Sequence, residues 1–362
     1  MLDQPASPGS YRRYQLVTCG EPLQVSRFEL SAPQGTEVVL RTLAAGLCHT
    51  DLHLSDGYFD LGRGERIRLT DRGIHLPHTL GHENVGVVQA CGPKAAGVSP
   101  GDRVLAYPWV GCGSCGRCAD GLGHLCDQPR FVGVFRPGGF GEVFVVPHAQ
   151  CLFPIGDLAP AVAAPLACSG ITAFSALRKA GRAIDQGPIV IIGAGGVGLM
   201  CLGLLRCLGG DGAIVVEPVA AKRAAALEMG ALAAVGTDAA GQAELADRVG
   251  AGVGAVLDFV GSPDSLRRGV GALRKGGKLV VVGMYGGEMT LPIPLLVLRS
   301  IAIEGSYVGS IAEMHELMSL VRRHGVPKLP LVERPMAQVN DAMRDMRAGS
   351  VVGRTILVPT AP

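Results

Sequence analysis

The run Ile189-Val190-Ile191-Ile192-Gly193-Ala194-Gly195-Gly196-Val197-Gly198-Leu199 constrains the fold more than any other part of this chain. Four apolar residues predict a buried strand, the glycines a tight turn, and the apolar stretch beyond them a helix. Glycine at Gly193, Gly195, Gly196 and Gly198 permits the turn, close approach of a pyrophosphate, and close helix–strand packing. The N–H groups at the helix start then face the phosphates. The chain has 53 glycines in 362 residues, about twice the usual share, so the spacing alone says little. Its context strengthens it: Ile214-Val215-Val216 forms a second apolar strand ending in Glu217, twenty-four residues after Gly193. A carboxylate there accepts from an adenosine ribose and repels a 2′-phosphate, which favours NAD over NADP. A glycine turn buried in a core without ligand is the competing reading, and calorimetry with a nicotinamide dinucleotide separates the two.

The strand–helix rhythm continues through Ala255-Val256-Leu257 and Leu279-Val280-Val281-Val282, the pattern of a doubly wound parallel sheet covered on both faces. Upstream, Val38-Val39-Leu40, Val85-Gly86-Val87-Val88, Arg103-Val104-Leu105 and Val143-Phe144-Val145-Val146 are short strands divided by Gly and Pro, a β-rich domain. The length predicts about two domains. The residues after Ile301 lack the repeat and are expected to rejoin the first of them. The apolar stretch 188–205 approaches membrane-span length, but five glycines punctuate it, so strand-turn-helix is the better reading. With 33 basic against 31 acidic residues and 18% charged, there is no basic stripe for a nucleic acid. The first fourteen residues carry no apolar secretory segment, so a reducing cytoplasm is expected.

Four of the eleven cysteines, Cys112, Cys115, Cys118 and Cys126, crowd into a glycine-rich loop. In a cytosolic chain that density favours metal over disulfides. Four thiolates close a tetrahedral zinc shell and leave no position for water, which makes a structural site. An iron–sulfur cluster also takes four cysteines, but in the ferredoxin spacing the fourth is closer and precedes proline, whereas Asp127 follows Cys126.

Three further segments each set a ligand type beside glycine or a polar neighbour: Cys48-His49-Thr50-Asp51-Leu52-His53, Gly81-His82-Glu83 and Cys168-Ser169-Gly170. Composition cannot join them. With Gly101-Asp102-Arg103-Val104, the four-cysteine loop, the glycine loop, Glu217 and Gly353-Arg354-Thr355, the sequence resembles the zinc-dependent alcohol dehydrogenases of the medium-chain dehydrogenase/reductase superfamily along nearly its whole length. The resemblance implies an α/β protein. A GroES-like β-rich catalytic domain (1–168, completed by 305–362) would enclose a Rossmann domain (169–304), with the active site between them. It implies two Zn2+ per chain, the catalytic one on Cys48, His82 and Cys168 with an open fourth position, where a Lewis acid favours alkoxide formation and hydride release to nicotinamide. Asp51 and Glu83 are the carboxylates behind the ligands, Asp51 orienting His82 and Glu83 approaching the metal during ligand exchange. The resemblance also implies that Thr50 and His53 form the proton path, a surface imidazole being the alternative for His53. His49 and Arg354 are implied near the pyrophosphate, Lys222 near the adenosine ribose, Val197 against the cofactor and Thr172 near the carboxamide.

Between His53 and His82 the chain is longer than the short-alcohol members of that family, through segment 58–75. Its arginines suit an anionic substrate if it lines the entrance; a solvated surface loop is the other reading. The short stretch between Cys126 and Gly138 resembles the tetrameric microbial members of that family more than the dimeric animal ones, so a tetramer is expected. Polyol, threonine or aryl-alcohol dehydrogenases, or a carbonyl reductase running in the opposite direction, are rivals on the same fold. A zinc-stapled nucleic-acid-binding protein is the rival from another class, and it leaves the glycine loop idle.

Overall fold

The computed structural model describes residues 10–359. Its six-stranded parallel sheet runs in the order Ala233–Val235, Ala213–Val216, Ile189–Ile192, Val253–Asp258, Leu273–Val281, Ala302–Gly305. Crossing over between Ile189–Ile192 and Val253–Asp258 places both helix layers on opposite faces, the doubly wound arrangement. The period-2 alternation explains the layering: Ile189 and Ile191 pack into one cluster, Val190 and Ile192 into the other. Stretch 188–205 divides into this strand and the helix Gly196–Cys207. Among the described residues no single helix is long and apolar enough to cross a membrane.

The second large sheet is mainly antiparallel. It runs Leu152–Pro154, Arg103–Ala106, Glu83–Cys91, Val38–Gly46, Arg354–Val358, Leu331–Pro335, with Val143–Val146 also on Val38–Gly46. Ile356 and Leu357 pair with Gly46 and Ala45, so the end of the chain completes the sheet begun near its start. That return positions Arg354 beside residues more than 250 positions earlier.

Segment 58–75 is not a featureless loop. Tyr58–Gly62 and Glu65–Arg68 form a two-stranded hairpin, followed by a 3-10 turn at Thr70–Arg72. The turn carries Gly62 and Gly64 with positive φ, and the Arg66 guanidinium lies 4.0 Å above the Tyr58 ring. Arg63 pairs with Glu288 at 2.5 Å, and Gly286 leaves no room for a Cβ against the Asp60 carbonyl. The hairpin therefore leans on the loop after Leu273–Val281.

Candidate active site

Strand register brings the first two ligand candidates together. Gly46 pairs with Glu83, so Cys48, two residues past one, approaches His82, one residue before the other. Gly46 is needed there, since a Cβ would overlap the Glu83 carboxylate. Cys48 caps the helix His49–Asp56, and its N–H donates to Asp51 Oδ2 at 2.9 Å. The other carboxylate oxygen accepts from the Gly81 N–H at 3.2 Å and lies 3.3 Å from His82 Nδ1. Asp51 thus faces Nδ1; both ring nitrogens are buried without a hydrogen-bond partner, and Nε2 has no carboxylate beside it either.

Cys168 begins the helix Ser169–Ala180 and holds its Sγ 4.0 Å from that of Cys48. The donor atoms of Cys48, His82 and Cys168 lie within 4.8 Å of one another, all buried. Two thiolates on a tetrahedral zinc stand about 3.8 Å apart, from Zn–S bonds of ~2.3 Å, so the spacing fits that ion. The orphaned nitrogen fits it as well, because a buried imidazole nitrogen without a partner is costly unless a cation takes it. The hydrogen bond from Cys168, and then the His82 charge, hold the Cys48 thiol well below its usual range, while the same bond and burial push Cys168 up. Burial pushes His82 down, but Asp51 and Cys48 reverse it and leave its pKa raised.

Glu83 is fully buried. Its Oε1 accepts from the Ser169 N–H at 3.1 Å, and its Oε2 takes Arg354 Nη2 in an ion pair. Burial pushes the Glu83 carboxyl up to about 7 against the pull of Arg354. The Arg354 side chain also lies against Gly196, where a Cβ would overlap its Cδ, and its Nε has no partner. One buried arginine therefore joins the three-ligand cluster to the start of the glycine loop.

The glycines of that loop differ in conformation and in what surrounds them. Gly193 has φ 94°, a left-handed conformation that favours glycine. A Cβ on Gly198 would overlap the Gly193 carbonyl oxygen, whereas one on Gly195 would meet nothing within 4 Å. Gly198 thus serves helix–strand packing, and Gly195 leaves open space for a ligand. Glu217 accepts from the Ala194 N–H at 2.8 Å and from the Val219 N–H at 3.0 Å. Its carboxylate is fixed at the loop, with acceptor capacity remaining. Thr172 Oγ1 is buried without a partner.

The four-cysteine loop forms a second cluster. Sulfur–sulfur distances of 4.0 Å (Cys112–Cys118), 3.5 Å (Cys115–Cys118) and 3.7 Å (Cys115–Cys126) again bracket the tetrahedral zinc value. N–H groups of Cys112, Gly113, Ser114 and Gln128 donate to the sulfurs at 3.3–3.4 Å, which favours thiolates. The Ser114 hydroxyl and N–H draw Cys112 down to about 5.

Aromatic rings wall the three-ligand cluster. Trp109 lies 5.4 Å from the His82 ring and donates its indole N–H to the Ala167 carbonyl. Phe131 and Tyr307 follow at 5.4 and 6.2 Å from Trp109.

The alcohol dehydrogenase GroES-like domain matches residues 34–157, and the zinc-binding dehydrogenase domain matches residues 196–323. The NAD-dependent alcohol dehydrogenase of Sulfurisphaera tokodaii is 33% identical over 350 residues, 96% of this chain and all of that protein. The protein so named from Saccharolobus solfataricus is 34% identical, with the same coverage. The crystal structure of the alcohol dehydrogenase from the hyperthermophilic archaeon Aeropyrum pernix superposes with a TM-score of 0.87 at 30% identity, covering 96% of this chain and all of that one. The chain belongs to the zinc-dependent alcohol dehydrogenases of the medium-chain dehydrogenase/reductase superfamily.

As a member of that family, the chain gathers Cys48, Asp51, His82, Glu83, Cys168 and Arg354 into one buried group. Thr50 and His53 stand beside it on the helix His49–Asp56. His53 is half-buried and 5.2 Å from the Phe59 ring; burial, then the His49 charge, lowers its pKa. Burial, and then the charges of Arg354 and Lys222, lower the pKa of His49. Val197 is half-buried on the first turn of the helix Gly196–Cys207. Sequence reasoning missed Trp109, Phe131 and Tyr307. The available signal was scarcity: Trp109 is the one tryptophan in a chain that is only 4% aromatic.

Proposed function

We propose that the protein is an NAD-linked alcohol dehydrogenase that reversibly oxidises a primary or secondary alcohol to an aldehyde or ketone. The observation that carries this is the buried Cys48, His82 and Cys168 cluster, tied through Glu83 and Arg354 to the glycine loop. Zinc held there supplies a Lewis acid that lowers the pKa of an alcohol, and NAD supplies the hydride acceptor. Three protein ligands leave the fourth position for a substrate oxygen. Thr50 and His53 would carry the alcohol's proton from this dry site toward water. A neutral His53, which its lowered pKa favours, is the form able to accept that proton. Glu217 would take the adenosine ribose with Lys222 beside it, and Gly193, Gly195, Gly196 and Gly198 the pyrophosphate. The free Nε of Arg354 would add positive charge there, whereas His49, whose lowered pKa favours the neutral imidazole, would offer a ring N–H without a full charge. Val197 would pack on the cofactor, and the unpartnered Thr172 hydroxyl would bond its carboxamide.

The reading includes two zinc ions per chain, the second on Cys112, Cys115, Cys118 and Cys126, and a division into residues 1–168 with 305–362 and 169–304. Both clusters need reduced thiols, which supports a cytoplasmic location. Exposed Tyr285, Ile293, Val297 and Leu298 beside the edge strand Ala302–Gly305 support a homo-oligomer, the tetramer being favoured over the dimer. Absorbance-monitored reduction of NAD, with NADP in parallel, against primary, secondary, polyol and aryl alcohols tests the function. Turnover with NAD that disappears on zinc chelation supports it. No reduction by any alcohol, and no carbonyl reduction in reverse, from protein shown to carry zinc would overturn it.

A further inference from the structure

We propose that Arg72, delivered by the inserted hairpin segment, is a specificity residue that binds a carboxylate carried by the substrate at the end remote from the reacting carbon. The proposal rests on the alcohol dehydrogenase reading and adds a substrate class to it, hydroxy acids with an apolar or aromatic body. Arg72 stands at the outer end of the aromatic wall. Its guanidinium carbon lies 5.7 Å from the Phe59 ring centre and 5.6 Å from that of Phe135. Phe59 packs on His53, and Phe135 packs on Phe131 at 5.7 Å. Burial raises the pKa of Tyr307, whose ring stands 6.2 Å from Trp109, and the nearby Arg72 charge opposes that rise. Side chains reaching from Arg72 inward thus end on His82 along one path and on His53 along another.

Stacking on ring faces occupies the face of a guanidinium and leaves its edge donors available. Among the described residues no carboxylate lies within ion-pair distance of Arg72, whereas the neighbouring hairpin cation Arg63 is paired with Glu288 and Arg66 is stacked on Tyr58. A planar, unneutralised fork over aromatic surface is suited to a carboxylate held by two parallel hydrogen bonds. Of the segment's arginines, Arg72 is the one set against Phe59 and Phe135, which matches one negative charge. The apolar body of such a substrate would lie along the accessible rings of Tyr307, Phe135 and Phe59, with its hydroxyl at the cysteine and histidine ligands.

The test compares 3- and 4-(hydroxymethyl)benzoate with their methyl esters, which share the shape and lack the charge. In the zinc-loaded enzyme at least one acid should exceed its ester in kcat/KM by about fivefold, the worth of an ion pair at an exposed guanidinium. Arg72→Gln should erase that preference while leaving the ester within about twofold, and Arg72→Lys should restore part of it. Equal use of acids and esters by the parent enzyme, or an equal loss on both in Arg72→Gln, overturns the proposal while the alcohol dehydrogenase reading stands. If no alcohol is oxidised and no carbonyl is reduced in reverse, that reading has failed, and binding still decides the matter for Arg72. Trp109, the one tryptophan, reports occupancy by fluorescence, so quenching by the acid that weakens in Arg72→Gln supports the site, and no quenching rejects it.

Discussion

Arg354→Met removes a guanidinium that is 4% exposed from a Glu83 side chain that is 0% exposed. Truncating one partner of a buried ion pair usually costs about 3–5 kcal/mol, because the remaining charge stays desolvated without compensation. Glu83 keeps one donor, the Ser169 N–H at 3.1 Å, which places the expected loss near the lower end, about 3 kcal/mol. The double variant Glu83→Gln/Arg354→Met leaves no net charge and should recover part of that loss, giving a coupling of about 1–3 kcal/mol. Urea unfolding followed by Trp109 fluorescence measures both, and calorimetry with NAD measures the cofactor side. Because Arg354 also lies against Gly196, the single variant should weaken NAD binding at the same time. A stability loss under about 1 kcal/mol with a large loss of NAD affinity would refute the reasoning. It would mean that Arg354 acts as a phosphate contact and that Glu83 does not depend on it.

Three further perturbations have defined outcomes. Burial lowers the His78 pKa to about 4 from ~6.5 in the unfolded chain, so its contribution is fully present above pH ~6.5 and lost as pH falls through 4. That amounts to at most roughly 3 kcal/mol; His78→Gln should flatten stability between those values, and parallel curves for the two proteins would contradict the assignment. Gly198→Ala forces a Cβ into the Gly193 carbonyl, at a cost of about 1–3 kcal/mol and most of the NAD affinity. Gly195→Ala, with open space around its Cβ, should keep its melting temperature and lose affinity alone; equal melting shifts in the two would overturn that division. Cys115→Ser should reduce metal content by one zinc per chain and leave the Cys48, His82 and Cys168 site loaded, as elemental analysis would report; unchanged content counts against the four-cysteine site.

The chemistry that depends on local spacing was legible in the chain itself. Four cysteines within fifteen residues cannot avoid one another in a short loop, and glycines between a strand and a helix have one economical geometry. Apolar tetrapeptides such as Ile189–Ile192 announce strands buried on both faces, because a parallel sheet leaves neither face in water. The hairpin at 58–68 was not read as strand, since its Arg- and Glu-rich residues are mostly exposed and carry no apolar alternation. Cys48, His82 and Cys168 come from segments up to 120 residues apart, and it was their resemblance to a family, not their spacing, that joined them. In the fold they meet because Gly46 pairs with Glu83 and because the helix after Cys168 starts against that strand. The Glu83–Arg354 pair, the orphaned His82 Nε2 and the placement of Arg72 on Phe59 and Phe135 arise the same way. The sequence by itself determined which ligands, loops and strands exist; the tertiary structure alone decided which side chains share a dry site, because register and burial act between segments that no local pattern connects.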